Sequence, residues 1–263
     1  MQISLILFPV LAFSVSILHG QSIEVLQKYN APAANQAVAV DANYFYAISN
    51  NMIEKYAIST GKLIRNWQDS TGVFKHLNSG VIKDDKLYCA HSNFPDIPMA
   101  SSIEIFDPGS LEPVESHSFG LDIGSATWID WYDGHWYVAF AHYNRFKEDN
   151  GMDNRWTQLV KFSPDWHRLE GWLLPGDLIE RFDGMSNSGG YITSEGKIYL
   201  TGHDDMEVYV LEFPDHGYTL QWTNSLESPF EGQGIAADPE NRDIIYGINR
   251  SQKMVIKGKV IVE

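Results

Sequence analysis

Four histidines beyond residue 20 of this 263-residue chain have the neighbours that site chemistry uses: His76-Leu-Asn78, His91-Ser-Asn93, His142-Tyr-Asn144 and His203-Asp-Asp205. A neutral imidazole with carboxylate or carboxamide groups nearby suits Zn, Mn or Fe, and Asp or Asn oxygens suit Ca. His76, His91, His142, His203 and Asp205 are therefore the candidate ligands for a divalent metal (Zn, Mn or Ca). Imidazole also exchanges protons near neutral pH. This makes His91, His142 and His203, with the carboxylate of Glu231, the candidate catalytic groups. No compact motif such as H-E-x-x-H supports the metal. Neighbouring strand residues point to opposite faces, so the spacing His203-Asp204-Asp205 is weak support by itself.

A second set of residues has the chemistry for holding a ligand: Asn78, Asn93, Asn187, Gln233, Arg250 and Trp128. Carboxamides both donate and accept. Arg250 would pair with a ligand carboxylate or with Glu231, the plainer partner. Trp128 would either pack in the core or stack on a sugar or aryl ring. Taken singly, each histidine reads as a side chain bonded to loop backbone and water. Taken together, they read as a pocket.

Something must gather residues spread from His76 to Arg250, and an internal repeat supplies it. A polar lead, an apolar strand, a tight turn and a strand with a central tyrosine recur five times, ending at Tyr46, Tyr88, Tyr137, Tyr199 and Tyr246. A longer polar insert, Phe146–Asn154, explains the wide third spacing. A second hairpin follows each copy, for example Ile103-Glu-Ile-Phe-Asp-Pro-Gly-Ser-Leu-Glu-Pro-Val. Apolar alternation broken by Pro, Gly and Asp is the pattern of strands and turns. Four strands in roughly 49 residues is one blade of a propeller. The expectation is an all-β, five-bladed β-propeller over residues 21–263. Ser22–Tyr29 would complete a last blade that is one strand short and so cover its edge. Helical signals are confined to Asp177–Phe182, enough for one turn on a loop.

In that geometry the leads and the turns after each second strand share one end, and the site candidates fall there, apart from Trp128 on a channel-lining strand. The opposite end carries short solvent-adapted turns: Lys83–Lys86, Asp133–Gly134, Ser194–Gly196 and Pro239–Arg242.

Residues 1–20 contain no Lys, Arg, Asp or Glu and hold the apolar run Leu5–Phe13, the composition of a secretory signal peptide cleaved near Gly20. A secreted or periplasmic protein follows, free of the membrane after cleavage. The net charge of −15 argues against nucleic acid and anionic lipid as partners. Cys89 is the only cysteine, so no internal disulfide forms, and its strand-like setting marks it as buried and inert.

The closing run Gly234-Ile-Ala-Ala-Asp-Pro-Glu-Asn-Arg-Asp-Ile-Ile-Tyr-Gly and the opening Gln36-Ala-Val-Ala-Val-Asp carry a resemblance. The chain is similar to secreted and periplasmic propellers with degenerate repeats. These include six-bladed lactonases of the gluconolactonase type and five-bladed plant-type glutaminyl cyclotransferases. The similarity lies in blade pattern and covers most of residues 21–263. No active-site motif matches residue by residue, so no catalytic role follows from it.

The expected function is binding of a small polar or sugar-like ligand at the channel mouth by a monomer. The expected enzyme is a hydrolase, lyase or isomerase using histidine acid–base chemistry or a histidine-bound metal. The alternatives are a glutaminyl-cyclotransferase-like enzyme, which needs a channel carboxylate such as Glu231, and a non-catalytic glycan- or protein-binding propeller.

Overall fold

The computed structural model describes residues 22–121 and 123–261, so the signal-peptide reading of residues 1–20 lies outside the described residues. The chain starts with β1 (Ser22–Asn30). The first four-stranded sheet is β2 (Ala37–Val40), β3 (Tyr44–Ser49), β4 (Met52–Ala57) and β5 (Leu63–Gln68), in chain order. The second is β6 (His76–Lys83), β7 (Lys86–Ser92), β8 (Ala100–Phe106) and β9 (Pro113–Leu121). The third is β10 (Ser125–Tyr132), β11 (His135–Ala141), β12 (Gln158–Phe162) and β13 (Arg168–Leu173), with α1 (Lys147–Asn150) in the insert between β11 and β12. After α2 (Gly176–Arg181) come β14 (Gly189–Ile192), β15 (Ile198–Thr201), β16 (Glu207–Glu212), β17 (Gln221–Glu227), β18 (Ala236–Ala237), β19 (Ile244–Asn249) and β20 (Met254–Ile261).

These last seven strands and β1 form one eight-stranded sheet, ordered β14-β15-β16-β17-β1-β20-β19-β18. A single parallel pairing, Ser22 with Glu227, joins its halves. The other edge of β1 runs antiparallel to β20 from Ser22–Ile261 to Asn30–Met254. The N-terminal strand thus covers an edge that the last sheet would otherwise expose.

Burial along the first sheet follows composition. The apolar Ala37–Val40 is buried at all four positions, whereas the outer Leu63–Gln68 is largely exposed. The inner strands neighbour one another in a cycle: β2 meets β6, β6 meets β10, β10 meets β14, β14 meets β18, and β18 returns to β2. Small residues allow that approach. A Cβ on Gly234 would lie 2.3 Å from the Cβ of Ala37, so the lead into β18 touches the first sheet only as glycine. Large apolar groups fill the wedges between sheets: Trp128 packs with Ile192, Ile198, Leu200 and Tyr209, and Ile105 with Trp136, Phe140 and Phe162.

The β6–β7 and β10–β11 hairpins turn through left-handed pairs, Asp84–Asp85 and Asp133–Gly134, whose twist matches that of the strands. Asp177–Phe182 lies in α2 and its C-cap, and Leu178 and Ile179 anchor the helix in the core beneath it. Cys89 is fully buried, and burial raises its thiol pKa well above the usual value. Among the described residues, no helix is long and apolar enough to cross a membrane.

Candidate functional site

A cavity of ≈110 Å³ opens between the leading ends of the inner strands. Gln36 enters from the lead of β2, His76 and Asn78 from β6, Thr127 from β10, Ser188 from the lead of β14, and Gln233 from the lead of β18. His203, Phe94, Tyr143 and Met185 from the surrounding loops complete the lining. The five leads, which are far apart in sequence, therefore converge on one opening.

Within the cavity the polar groups are only partly committed. Gln36 Nε2 donates to Asn50 Oδ1 at 2.8 Å, Asn78 Nδ2 to the Ala126 carbonyl at 3.1 Å, and Gln233 Nε2 to the His203 carbonyl at 2.9 Å. Their amide oxygens remain to accept from a ligand. Gln233 is in the left-handed region at φ 65°, a conformation that bulky residues rarely adopt. Asn187 stands behind the lining; its Nδ2 donates to Thr127 Oγ1 at 3.3 Å, and its buried Oδ1 has no hydrogen-bond partner.

The two cavity imidazoles differ. His76 lies against Phe94, with ring centroids 4.9 Å apart. Burial, then the nearby His91 and His203, pushes its pKa down to about 4, so the ring is neutral at neutral pH. His203 Nδ1 lies 2.7 Å from Asp204 Oδ2, off the hydrogen-bond direction, and Arg250 Nη2 holds the other oxygen of Asp204 at 3.0 Å. No carboxylate lines the cavity among the described residues.

Several expectations are corrected. His91 does not line the cavity: its Nε2 accepts from the Lys75 N–H at 3.2 Å and its Nδ1 meets Ser102 Oγ at 3.0 Å. Burial lowers its pKa, and Glu104 opposes that shift. The His142 ring is buried against Gly124, with Nε2 3.3 Å from the Ile123 carbonyl. Glu231 is occupied by Ser251, which donates its N–H at 2.8 Å and its hydroxyl at 2.6 Å. Burial raises the Glu231 pKa, but these bonds outweigh it and hold the carboxyl below its usual range. Arg250 pairs with Asp204 rather than with Glu231. Asn93 closes its own loop, donating to the Pro98 carbonyl at 2.9 Å and accepting from the Ala100 N–H at 2.8 Å. Trp128 has no exposed surface and cannot stack on a ligand. Asp205 accepts from the Tyr209 hydroxyl at 3.2 Å. The five proposed metal ligands therefore do not converge. Among the described residues, no group of three or more His, Cys, Asp or Glu side chains could hold an ion.

His76, His203, Asn78 and Gln233 are thus brought together, with Asn187 beside them. Sequence reading missed Gln36, Thr127 and Ser188, although the repeat register marks them: each occupies the same lead position as His76–Asn78. Phe94, Tyr143 and Met185 come from irregular loops, where no register applies.

Below this cavity the same inner strands enclose a smaller space of ≈50 Å³, lined by Val40, Val81, Ile129, Tyr191 and Ile235. Asp130 and Arg242 lie at its far end. One space is therefore lined mainly by polar side chains, and the other by apolar ones with an ion pair among them.

No protein-family profile matches the sequence, and no curated protein does. Solved structures do match. Myxococcus xanthus glutaminyl cyclase superposes over 92% of this chain and 98% of its own, with TM-score 0.59 at 10% identity. The PQQ-bound aldose sugar dehydrogenase of Streptomyces coelicolor covers the same shares, with TM-score 0.57 at 11% identity. A luciferin-regenerating enzyme gives TM-score 0.51 at 10% identity over 92% of this chain and 96% of that one. Likeness at such identities speaks to fold and leaves activity open. With its cycle of inner strands and its four-stranded sheets, the chain has the β-propeller fold of these proteins.

Proposed function

We propose that this protein is an exported, monomeric, five-bladed propeller that binds a small neutral polar group in the cavity at the leading ends of its inner strands and acts on it by histidine acid–base chemistry. Five blades is our reading; it is supported by dividing the eight-stranded sheet at its single Ser22–Glu227 pairing into two four-stranded units beside the other three. Export rests on the composition of residues 1–20.

The observation that carries the functional reading is the lining. All five leads contribute a polar side chain, two imidazoles face the same space, and among the described residues no carboxylate does. Such a site favours an uncharged group rich in donors and acceptors, such as a hydroxyl, carboxamide or lactone. The volume is well below the roughly 300–1,000 Å³ of drug-sized pockets, so only the end of a ligand enters. His76, being neutral, accepts a proton or hydrogen bond from the bound group. His203, the second imidazole on the cavity, is the partner that donates. Asn78, Gln36 and Gln233 orient the group between them. The glutaminyl-cyclotransferase reading needs a site carboxylate and is less favoured, because Glu231 is committed to Ser251.

The test is a panel of neutral sugars, lactones and primary amides, scored by turnover and by thermal shift. His76→Ala and His203→Ala are expected to lower the response at least tenfold while leaving the melting temperature within a few degrees. A panel response that both variants retain would reject the site. Saturable binding without turnover would identify a binding propeller instead.

A further inference from the structure

The lining of the ≈110 Å³ cavity is uneven. Its apolar members are Phe94, Tyr143 and Met185. Tyr143 belongs to a packed cluster with Met99, Ala141 and Phe146, and Phe94 and Met185 pack against that cluster. The rings of Phe94 and Tyr143 have centroids 5.2 Å apart. The three residues come from the loop after β7, the loop after β11 and the segment between α2 and β14, so one apolar wall is shared by the second, third and fourth units.

The polar insert that interrupts the repeat holds this wall together. Asn154 Nδ2 donates to the Met185 carbonyl at 3.0 Å, and the Asn144 N–H donates to the Gly184 carbonyl at 3.0 Å. Asp153, itself buried, pairs with Lys147 at 3.2 Å and Arg155 at 2.7 Å and so fixes the insert on itself. The first and last units face the cavity with carboxamides instead. Gln36 and Gln233 stand on neighbouring leads, joined by the Gly234 N–H, which donates to the Gln36 carbonyl at 2.8 Å. Gln36, Gln233 and Asn78 each commit an amide N–H to the protein, leaving their oxygens to accept.

A group that satisfies both flanks needs a donor, an acceptor and an apolar end in one compact unit. A hydroxyl has no apolar end, and a lactone has no donor. A primary carboxamide has both polar functions but no alkyl end of its own. A secondary amide with a short alkyl group has all three. We propose that the group entering the cavity is a short N-acyl group of the acetamido kind, with its alkyl end against Phe94, Tyr143 and Met185 and its amide N–H on the carboxamide oxygens. This rests on the reading of the cavity as the ligand site and names the group that occupies it. The Ser188 hydroxyl and the His203 imidazole, both on the lining, donate to the acyl oxygen. Met185, unbranched and polarizable, shapes itself to the alkyl end and sets the acyl length that fits. The carrier of the acyl group, an amino sugar or an amino acid, stays outside the small space.

Calorimetric titration compares N-acetylglucosamine, N-formylglucosamine and glucose, and repeats the acetyl–formyl comparison on glycinamide as a carrier without a sugar. N-acetylglucosamine is expected to bind at least tenfold more tightly than glucose. The acetyl form is expected to bind about fourfold more tightly than the formyl form, the worth of one buried methyl group. Met185→Ala should bring that ratio to within twofold, and Met185→Leu should keep it. N-acetylsarcosinamide, which has no amide N–H at the acyl nitrogen, should bind at least tenfold more weakly than N-acetylglycinamide. Binding of the acetylated form of only one carrier upholds the proposal and identifies the carrier. The proposal is overturned if the acetyl and formyl forms bind alike on both carriers, if glucose matches N-acetylglucosamine, or if Met185→Ala keeps the acetyl preference. Each of these outcomes leaves the cavity as a binding site for neutral groups. Silence from every neutral compound removes the cavity reading and this proposal together.

Discussion

Arg242 Nη2 meets Asp130 Oδ2 at 2.5 Å across 112 residues of sequence, tying the turn before β19 to the inner strand β10. The same guanidinium donates from Nε to the Ile192 carbonyl at 2.7 Å, while Asp130 also accepts from the Ile192 N–H at 2.8 Å. One ion pair thus fastens the third, fourth and last units together beside the smaller space between the inner strands. Burial raises the Asp130 pKa, and Arg242 and the backbone N–H groups act against that shift. Arg242→Met strands a buried carboxylate and should cost about 3–5 kcal/mol in urea denaturation. A protonated carboxyl needs no counter-charge, so the loss should shrink as pH falls. A loss below about 1 kcal/mol at pH 7 would show that the pair does not hold the ring.

His91 and His142 should behave as scaffold. His91→Ala leaves the Lys75 N–H and Ser102 Oγ without their partner, and His142→Ala opens a gap against Gly124. His91→Ala is expected to cost about 0.5–1.5 kcal/mol, since the Lys75 N–H bond is exposed and Ser102 Oγ keeps Glu104 as its other partner, and His142→Ala about 1–3 kcal/mol for the gap it leaves. Ligand binding per folded molecule should be unchanged. Calorimetry together with a titration against an active panel compound separates the two effects; a binding loss with unaltered stability would return these residues to the site.

Acid should weaken the fold through His76. Its folded pKa, about 4, lies below the usual histidine value, so the unfolded chain binds the proton first. Stability is therefore full above about pH 6.5 and declines as pH falls towards 4, by up to about 3 kcal/mol. Below that the folded state is also protonated and the decline from this group ends. His76→Gln should flatten the slope in a series of urea midpoints from pH 7.5 to 4. An unchanged slope would mean that other groups carry it.

Removing residues 22–30 should unzip the last sheet. The deletion takes away the antiparallel partner of β20 and the buried Ile23 and Tyr29. The shortened chain is expected to lose cooperative unfolding or to associate through the bared edge, as light scattering would detect. A monomer with the original melting temperature would contradict this account of the closure.

The residues that made the fold legible were the short apolar inner runs and the tyrosines that follow them. Tyr46, Tyr88, Tyr137, Tyr199 and Tyr246 all lie on the second strand of their unit, and Ser22–Asn30 lies beside β20 as its orphan status required. The site was only half legible. Register placed His76, Asn78, His203 and Gln233 at the right end, but an end is wider than a cavity. Whether His91 turns inward or towards Ser102 depends on side-chain direction and on partners across β8, which strand spacing leaves undetermined. Trp128 stayed open between packing and stacking because a residue on an inner strand faces either the axis or the wedge between sheets, and here the wedge carries Ile192 and Leu200.

The pairing of β1 with β20 has a consequence for biosynthesis. Strand β1 has to wait until β20 has been made before it finds its neighbour, and bringing together segments this distant costs on the order of 5 kcal/mol in chain entropy. Until then the sheet lacks the strand that joins its halves. Assembly is therefore expected to be slow, with a vulnerable interval in which a chaperone or a second nascent copy competes for the same vacancy.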